Sequence, residues 1–212
     1  MTVGVASFKE QWRGWYSQCP PVGFVLRQVH AERWLRIHSL PFAQRYPGST
    51  GDWKELLARH NAVATDVLGA GSPCIIVISR FMSPGERLPT RLKDLSSNEP
   101  KILKALSPVV LGSVSDDWAG EEASRILGDS SFESGTVGLY AAELSWHRGA
   151  YDALLRAVAQ DQTGSLLIAS TVSGRVFAPY DGGADLFFRD PEERQAARGR
   201  YRDWLSPLPS GL

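Results

Sequence analysis

The 212-residue chain is short of several things, and each shortage removes a class of function. It holds two cysteines, Cys19 and Cys74. Neither has a second Cys or a His at metal-ligand spacing, so no metal site is expected. Two reduced thiols in a cytoplasmic protein is the simpler reading of the pair, and a disulfide is the other. Neither sign of charge is in excess, because Lys plus Arg and Asp plus Glu both total 23. That balance lacks the electrostatic footprint of a nucleic-acid binder, and no nucleic-acid partner is expected. No stretch approaches the roughly 18 apolar residues of a membrane span. The N-terminus has neither the basic start nor the apolar run of a signal peptide, so no membrane partner is expected. Also missing are a phosphate loop, a dinucleotide fingerprint, a His-Glu-x-x-His pair and a nucleophile elbow. No cofactor is therefore expected.

What is present suits a folded domain. Hydrophobic residues make up 43% and charged residues 22%, ordinary values for a protein with a proper core. The length fits one domain over residues 1–212. Seven tryptophans are many for this size, and packing is the leading assignment for each.

Periodicity supplies the elements. Ser7 and Glu10 have the form of a capping box ahead of Phe8, Trp12 and Trp15, a helical stripe that stops before Pro20. Residues 33–40 alternate as a strand, with Leu35 and Ile37 on one face and Trp34, Arg36 and His38 on the other. A loop with Arg45, Tyr46 and Pro47 leads to a helix that Asp52 caps with Glu55, striped by Trp53, Leu56, Leu57, Val63, Ala64 and Val67. His60 falls in that stripe, flanked by Arg59 and Asn61. Gly69 and Gly71 end the helix, and residues 74–78 form a buried strand. Residues 82–136 read as a less regular crossover. In it, Asn98 caps a short helix with Ile102, Leu103 and Leu106, and another helix runs from Glu121 through Ile126 and Leu127.

Regular patterning returns with a strand at 137–146, carrying Glu143 on the face of Leu139 and Ala141, then a helix marked by Tyr151, Leu154, Leu155 and Val158. Strands follow at 166–169, 175–178 and 184–188. Asp190, Pro191 and Glu193 open a last helix, docked by Ala197, Tyr201 and Trp204. Short turns between the later strands favour antiparallel pairing. The expected fold class is α+β: a mixed, mostly antiparallel sheet with helices mainly on one face.

The candidate site residues are polar groups set among apolar ones. Arg36 and His38 share a strand face that leads to Arg45 and Tyr46. They suit a carboxylate or other anion, Arg as a fork donor and His as acid or base; the alternative is a His and an Arg satisfied by backbone carbonyls. Tyr180, Asp181 and Asp185 surround Gly182 and Gly183. As a pair, Asp181 and Asp185 could act as a general base or hold a cation. As turn residues, the Asp-Gly step supplies φ > 0 and the carboxylates cap the backbone, with Asp185 open to pairing with Arg175 or Arg36. His60 reads first as a buried, hydrogen-bonded imidazole. Ser39 follows His38 on the opposite strand face, so these two form no nucleophile–base pair.

The segments Trp34-Leu35-Arg36-Ile37-His38-Ser39-Leu40-Pro41, Arg59-His60-Asn61, Pro179-Tyr180-Asp181-Gly182-Gly183-Ala184-Asp185 and Trp204-Leu205-Ser206 resemble an uncharacterised bacterial family of about this length. The C-terminal plan of Tyr-Asp, an apolar strand and a helix ending in Trp is similar to a larger domain-of-unknown-function family, which carries Tyr-Asp-Asp-Arg-Gly at the turn. Gly183 departs from that pattern. The resemblance implies one domain and no particular activity.

Two functions follow as expectations. The first is a non-catalytic protein-interaction or regulatory module, of the immunity type, whose partner is another protein. The second is a small hydrolase or an anion- or small-molecule-binding protein using Arg36, His38, Asp181 and Asp185. The two differ in what they require of these side chains: one concave site for the second, local satisfaction for the first.

Overall fold

A computed structural model describes residues 4–83, 85–90, 100–114, 118, 120–129 and 136–206. Its centre is a seven-stranded sheet in the order β1-β7-β6-β5-β2-β4-β3. The strands are β1 (Trp34–His38), β2 (Pro73–Met82), β3 (Val109–Ser113), β4 (Thr136–Ser145), β5 (Leu166–Ser170), β6 (Val176–Tyr180) and β7 (Gly183–Phe187). Every neighbouring pair is antiparallel, so the α+β class holds and the sheet is antiparallel throughout rather than mixed.

Alternation along the strands builds two cores. On β2, Cys74, Ile76 and Ile78 join one apolar cluster, while Ile75 and Val77 join the other. The first lies under α3 (Thr50–Leu68), α4 (Lys101–Leu106), α6 (Asp152–Ala159) and α7 (Pro191–Arg200). The second lies under α1 (Val5–Trp15), α2 (Gly23–Val29) and α5 (Glu121–Asp129). Helices therefore cover both faces among the described residues, where periodicity had suggested mainly one. A central strand with large apolar groups on both sides needs two covers. Trp12, Trp34, Trp118 and Trp146 are buried, and Trp15, Trp53 and Trp204 are half-buried.

Several local readings shift. The cap of α3 is Ser49, whose hydroxyl accepts from the Asp52 N–H, while the Asp52 carboxylate accepts from the Ser49 N–H. Asp52 is the reciprocal partner of that box, and Glu55 instead grips Arg59 at 2.6 Å. Helix α1 starts at Val5 without a side-chain cap from Ser7. Its Val5 N–H donates instead to Glu143 Oε1 at 3.2 Å, a carboxylate 138 residues away. The Asp190 start is as expected, Oδ1 accepting from the Glu193 N–H at 2.8 Å. Helix α2 and strand β3 had no counterpart in the sequence reading. Asn98 lies outside the described residues, and Pro100 occupies the N-cap of α4.

Strand β1 forms one end of the sheet, with three strands between it and its sequence neighbour β2. Its outer side is partly covered: Arg194 Nε donates to the Trp34 carbonyl at 3.0 Å, and Leu205 makes a single antiparallel bridge with Ile37. Such cover blunts an edge that could otherwise template further pairing.

Candidate functional site

The candidate residues converge on the end of β1, yet in three separate arrangements. In the first, Arg36 and Asp185 are register partners across β1 and β7. Arg36 Nε donates to Asp185 Oδ1 at 2.7 Å and Nη2 to Oδ2 at 2.9 Å. Trp34 Nε1 adds a third bond to Oδ1 at 2.9 Å. The Arg36 guanidinium lies 5.4 Å from the Trp34 ring centroid and 4.7 Å from that of Tyr180. This fork neutralises both charges. Burial pushes the Tyr180 phenol up to about 12, so it is protonated at neutral pH.

In the second arrangement, Asp181 occupies the two-residue turn between β6 and β7, where Tyr180 pairs with Gly183. Its Oδ2 accepts from Arg45 Nε at 2.7 Å and from the Tyr46 hydroxyl at 3.0 Å. Asp181 and Asp185 therefore bond to different partners. No group of three His, Cys, Asp or Glu that could hold a metal occurs among the described residues. Neither Gly182 nor Gly183 has a left-handed φ, contrary to the Asp-Gly turn expectation. The need for glycine at 183 is spatial: a Cβ there would collide with the Ile37 carbonyl oxygen of β1.

The loop tied down by Asp181 carries the least ordinary backbone nearby. Phe42 and Ala43 have φ of 58° and 56°, a conformation uncommon for residues with a Cβ. Phe42 is fully exposed, and Tyr46 is exposed as well.

The third arrangement joins β1 to α3. His38 lines a cavity of about 340 Å³ together with Leu40, Phe42, Arg59, Trp204 and Leu205. Arg59 is buried, held by Glu55 at its Nε and donating from Nη1 to the His38 carbonyl at 3.3 Å. Its guanidinium sits 5.3 Å from the Trp204 ring centroid. Burial, then the charges of Arg36 and Arg59, lowers the His38 pKa below the ordinary imidazole value. His38 Nε2 is shielded and has no hydrogen-bond partner among the described residues.

Beneath this cavity Ser39 and His60 meet, Oγ to Nε2, at 2.7 Å. Both are buried. The pair resembles half of a nucleophile–base couple, but His60 Nδ1 has no partner among the described residues to orient the ring. Burial, and then Arg59, pushes the His60 imidazole down to about 4, so it is neutral at pH 7. As expected for a histidine in an apolar stripe, His60 is a core imidazole with one hydrogen bond.

The pairing of Ser39 with His60 and the meeting of Arg59 with Trp204 were not anticipated. The signal was the polar triplet Arg59-His60-Asn61 inside an apolar helix, all three of which are buried. Asn61 explains its own place. It donates to the Leu57 carbonyl and to Asp152 Oδ1 and accepts from the Gly149 N–H, fastening the approach to α6. Arg175 pairs with Glu193 rather than Asp185. Cys19 and Cys74 are buried free thiols. No helix among the described residues is long and apolar enough to cross a membrane.

A family model described as "Domain of unknown function (DUF3885)" matches residues 22–209. The matched span includes every residue of the three arrangements and excludes only α1 and the approach to α2 among the described elements. No curated protein and no solved structure matches the chain.

Proposed function

The chain belongs to the DUF3885 family of unknown function, and we propose for it a non-catalytic protein-interaction or regulatory module, of the immunity type, acting in the bacterial cytoplasm. The observation that carries this reading is the contrast at the end of β1. The acids that a hydrolase would use are occupied: Asp185 by Arg36 and Trp34, Asp181 by Arg45 and Tyr46. The hydroxyl–imidazole pair, Ser39 with His60, is shut away from solvent. Beside these spent groups stands Phe42, a large ring fully in water on a left-handed backbone. Strained conformations and exposed aromatic anchors both concentrate at binding surfaces. The Asp181 contacts with Arg45 and Tyr46 hold the loop that presents the ring, which lowers the ordering cost of binding.

The test is affinity capture from the native host with the wild-type chain and with Phe42→Ala, read by mass spectrometry for proteins and small molecules alike. A protein retained by the wild type and lost with Phe42→Ala is the expected result. A small molecule recovered with no such protein would replace this reading with ligand binding at the cavity. Turnover of that molecule, lost in His38→Gln, would instead establish the hydrolase.

A further inference from the structure

We propose that the cavity between β1, α3 and the C-terminal turn (Arg202–Trp204) is a receptor for a carboxylate carried on a small apolar body. The proposal rests on the reading of this face as the binding face and assigns its chemistry.

The apolar walls include Leu40, Phe42, Trp204 and Leu205, and the polar lining is Arg59, His38 and Asp203. A volume of about 340 Å³ lies at the small end of the roughly 300–1,000 Å³ typical of ligand pockets. That sets a small ligand, about the size of one aromatic residue. Arg59 is the specific element. It is buried, and its orientation is set from three sides: Glu55 holds Nε, the His38 carbonyl holds Nη1, and the Trp204 ring lies beside the guanidinium plane. Nη2 carries no hydrogen bond to any described residue. A pre-oriented guanidinium with a spare donor, in an apolar wall, suits a planar anion.

The local field agrees. The charged groups that act on His38 are Arg36 and Arg59, both positive. Arg36 is matched by Asp185, Arg59 shares Glu55, which is 44% exposed and so screened by water, and the lining carboxylate Asp203 is 83% exposed and lies 3.5 Å from Arg202. A phosphate would bring more charge and less apolar surface than these walls fit. A carboxylate beside a ring or branched alkyl group fits both features, and a chain end with a large apolar last residue carries the same chemistry as a free aryl-acetic acid.

Three probes separate the claims. N-acetyl-phenylalanine, its amide N-acetyl-phenylalaninamide, and phenylacetate are titrated into the full chain, following the Trp204 indole N–H by NMR, assigned with Trp204→Phe. The acids are expected to shift that signal and the amide to bind about tenfold more weakly, the loss of one charge-assisted contact. Equal binding of acid and amide, or no shift from any probe at millimolar concentration, overturns the proposal. Tighter binding of N-acetyl-phenylalanine than of phenylacetate assigns the carboxylate to a partner's chain end; the reverse assigns it to a free acid, and either upholds the chemistry. Arg59→Gln is expected to remove the preference for acid. Because Arg59 is buried and that variant can fail to fold, the wild-type acid–amide contrast is the deciding measurement. Phe42→Ala, at an exposed position, is expected to weaken acid and amide alike. Acid selectivity without any Phe42-dependent partner keeps this proposal and ends the protein-interaction reading; such a partner without acid selectivity does the opposite.

Discussion

Arg36 and Asp185 face each other across the β1–β7 pairing and are joined by two nearly parallel bonds of 2.7 and 2.9 Å. Their side chains are 14% and 9% exposed, so neither charge has water to fall back on. Removing one member leaves the other buried and unpaired, which costs more than the pair itself contributes. Asp185→Ala is expected to lower stability by about 3 kcal/mol in urea unfolding. Replacing both, Arg36→Met with Asp185→Leu, should recover most of that loss. A single-variant change within about 0.5 kcal/mol would be surface behaviour and contradict the burial.

The two glycines of the β6–β7 turn should behave differently. A Cβ on Gly183 would strike the Ile37 carbonyl of the neighbouring strand, whereas one on Gly182 would meet the edge of the Tyr180 ring at 3.1 Å. A ring can give way more readily than a paired backbone. Gly183→Ala is expected to destabilise by about 1–3 kcal/mol, and Gly182→Ala by clearly less. Equal melting temperatures for the two variants would refute the spatial account.

Asp190 closes the N-terminus of α7 through one bond to the Glu193 N–H. Asp190→Ala should cost about 1 kcal/mol, a fall in melting temperature of about 2–4 °C for a domain of this size. Asp190→Ser keeps an acceptor and should restore most of it; a serine variant no better than alanine would show that the hydrogen bond is not the cause.

Acid should weaken the fold in two windows. Burial holds the His60 pKa at about 4 against an ordinary 6.5. The unfolded chain therefore takes up that proton first, and the associated stability, complete above 6.5, declines as pH falls toward 4. His30 and His38 are lowered in the same direction. Hydrogen bonds from Arg175, then Arg189, hold Glu193 at about 2 against an ordinary 4.5. Its contribution is present above 4.5 and lost as pH falls toward 2. Urea midpoints measured across pH should be shallower between 6.5 and 4 in His60→Gln and unchanged in slope below. An identical upper slope in that variant would show that His60 is not a titrating core group.

Features with local causes were readable in the sequence. The alternation of β1 placed Arg36 and His38 on one side, and the Asp190-Pro191-Glu193 start specified α7, because side-chain direction and capping depend on a few neighbouring residues. The α3 cap shows where local reasoning divides: Ser49 with Asp52 and Asp52 with Glu55 both satisfy the spacing, and only the backbone chose the first. Asp185 had Arg175 and Arg36 as suitors, and the choice follows from β1 lying against β7. The meeting of Arg59 with Trp204 leaves no mark in either segment alone. Strand β3 is five residues with a glycine and a register shift, too short and irregular to be read from period two. Helix α2 is seven residues between a proline-rich turn and β1, too brief to declare a stripe.

The sheet order also governs when this face can exist at all. Strand β1 is made well before β7, the strand it pairs with among the described residues, and Arg36 lies 149 residues ahead of Asp185. At about 5–20 residues per second, translation takes roughly 7–30 seconds to cross that interval. Through that time the nascent chain carries Trp34, Leu35 and Ile37 without the strand that covers them. The cavity is later still, since Trp204 follows Asp185. A chain that stops before β7 thus offers a hydrophobic strand to chaperones and has neither the Arg36–Asp185 pair nor the cavity.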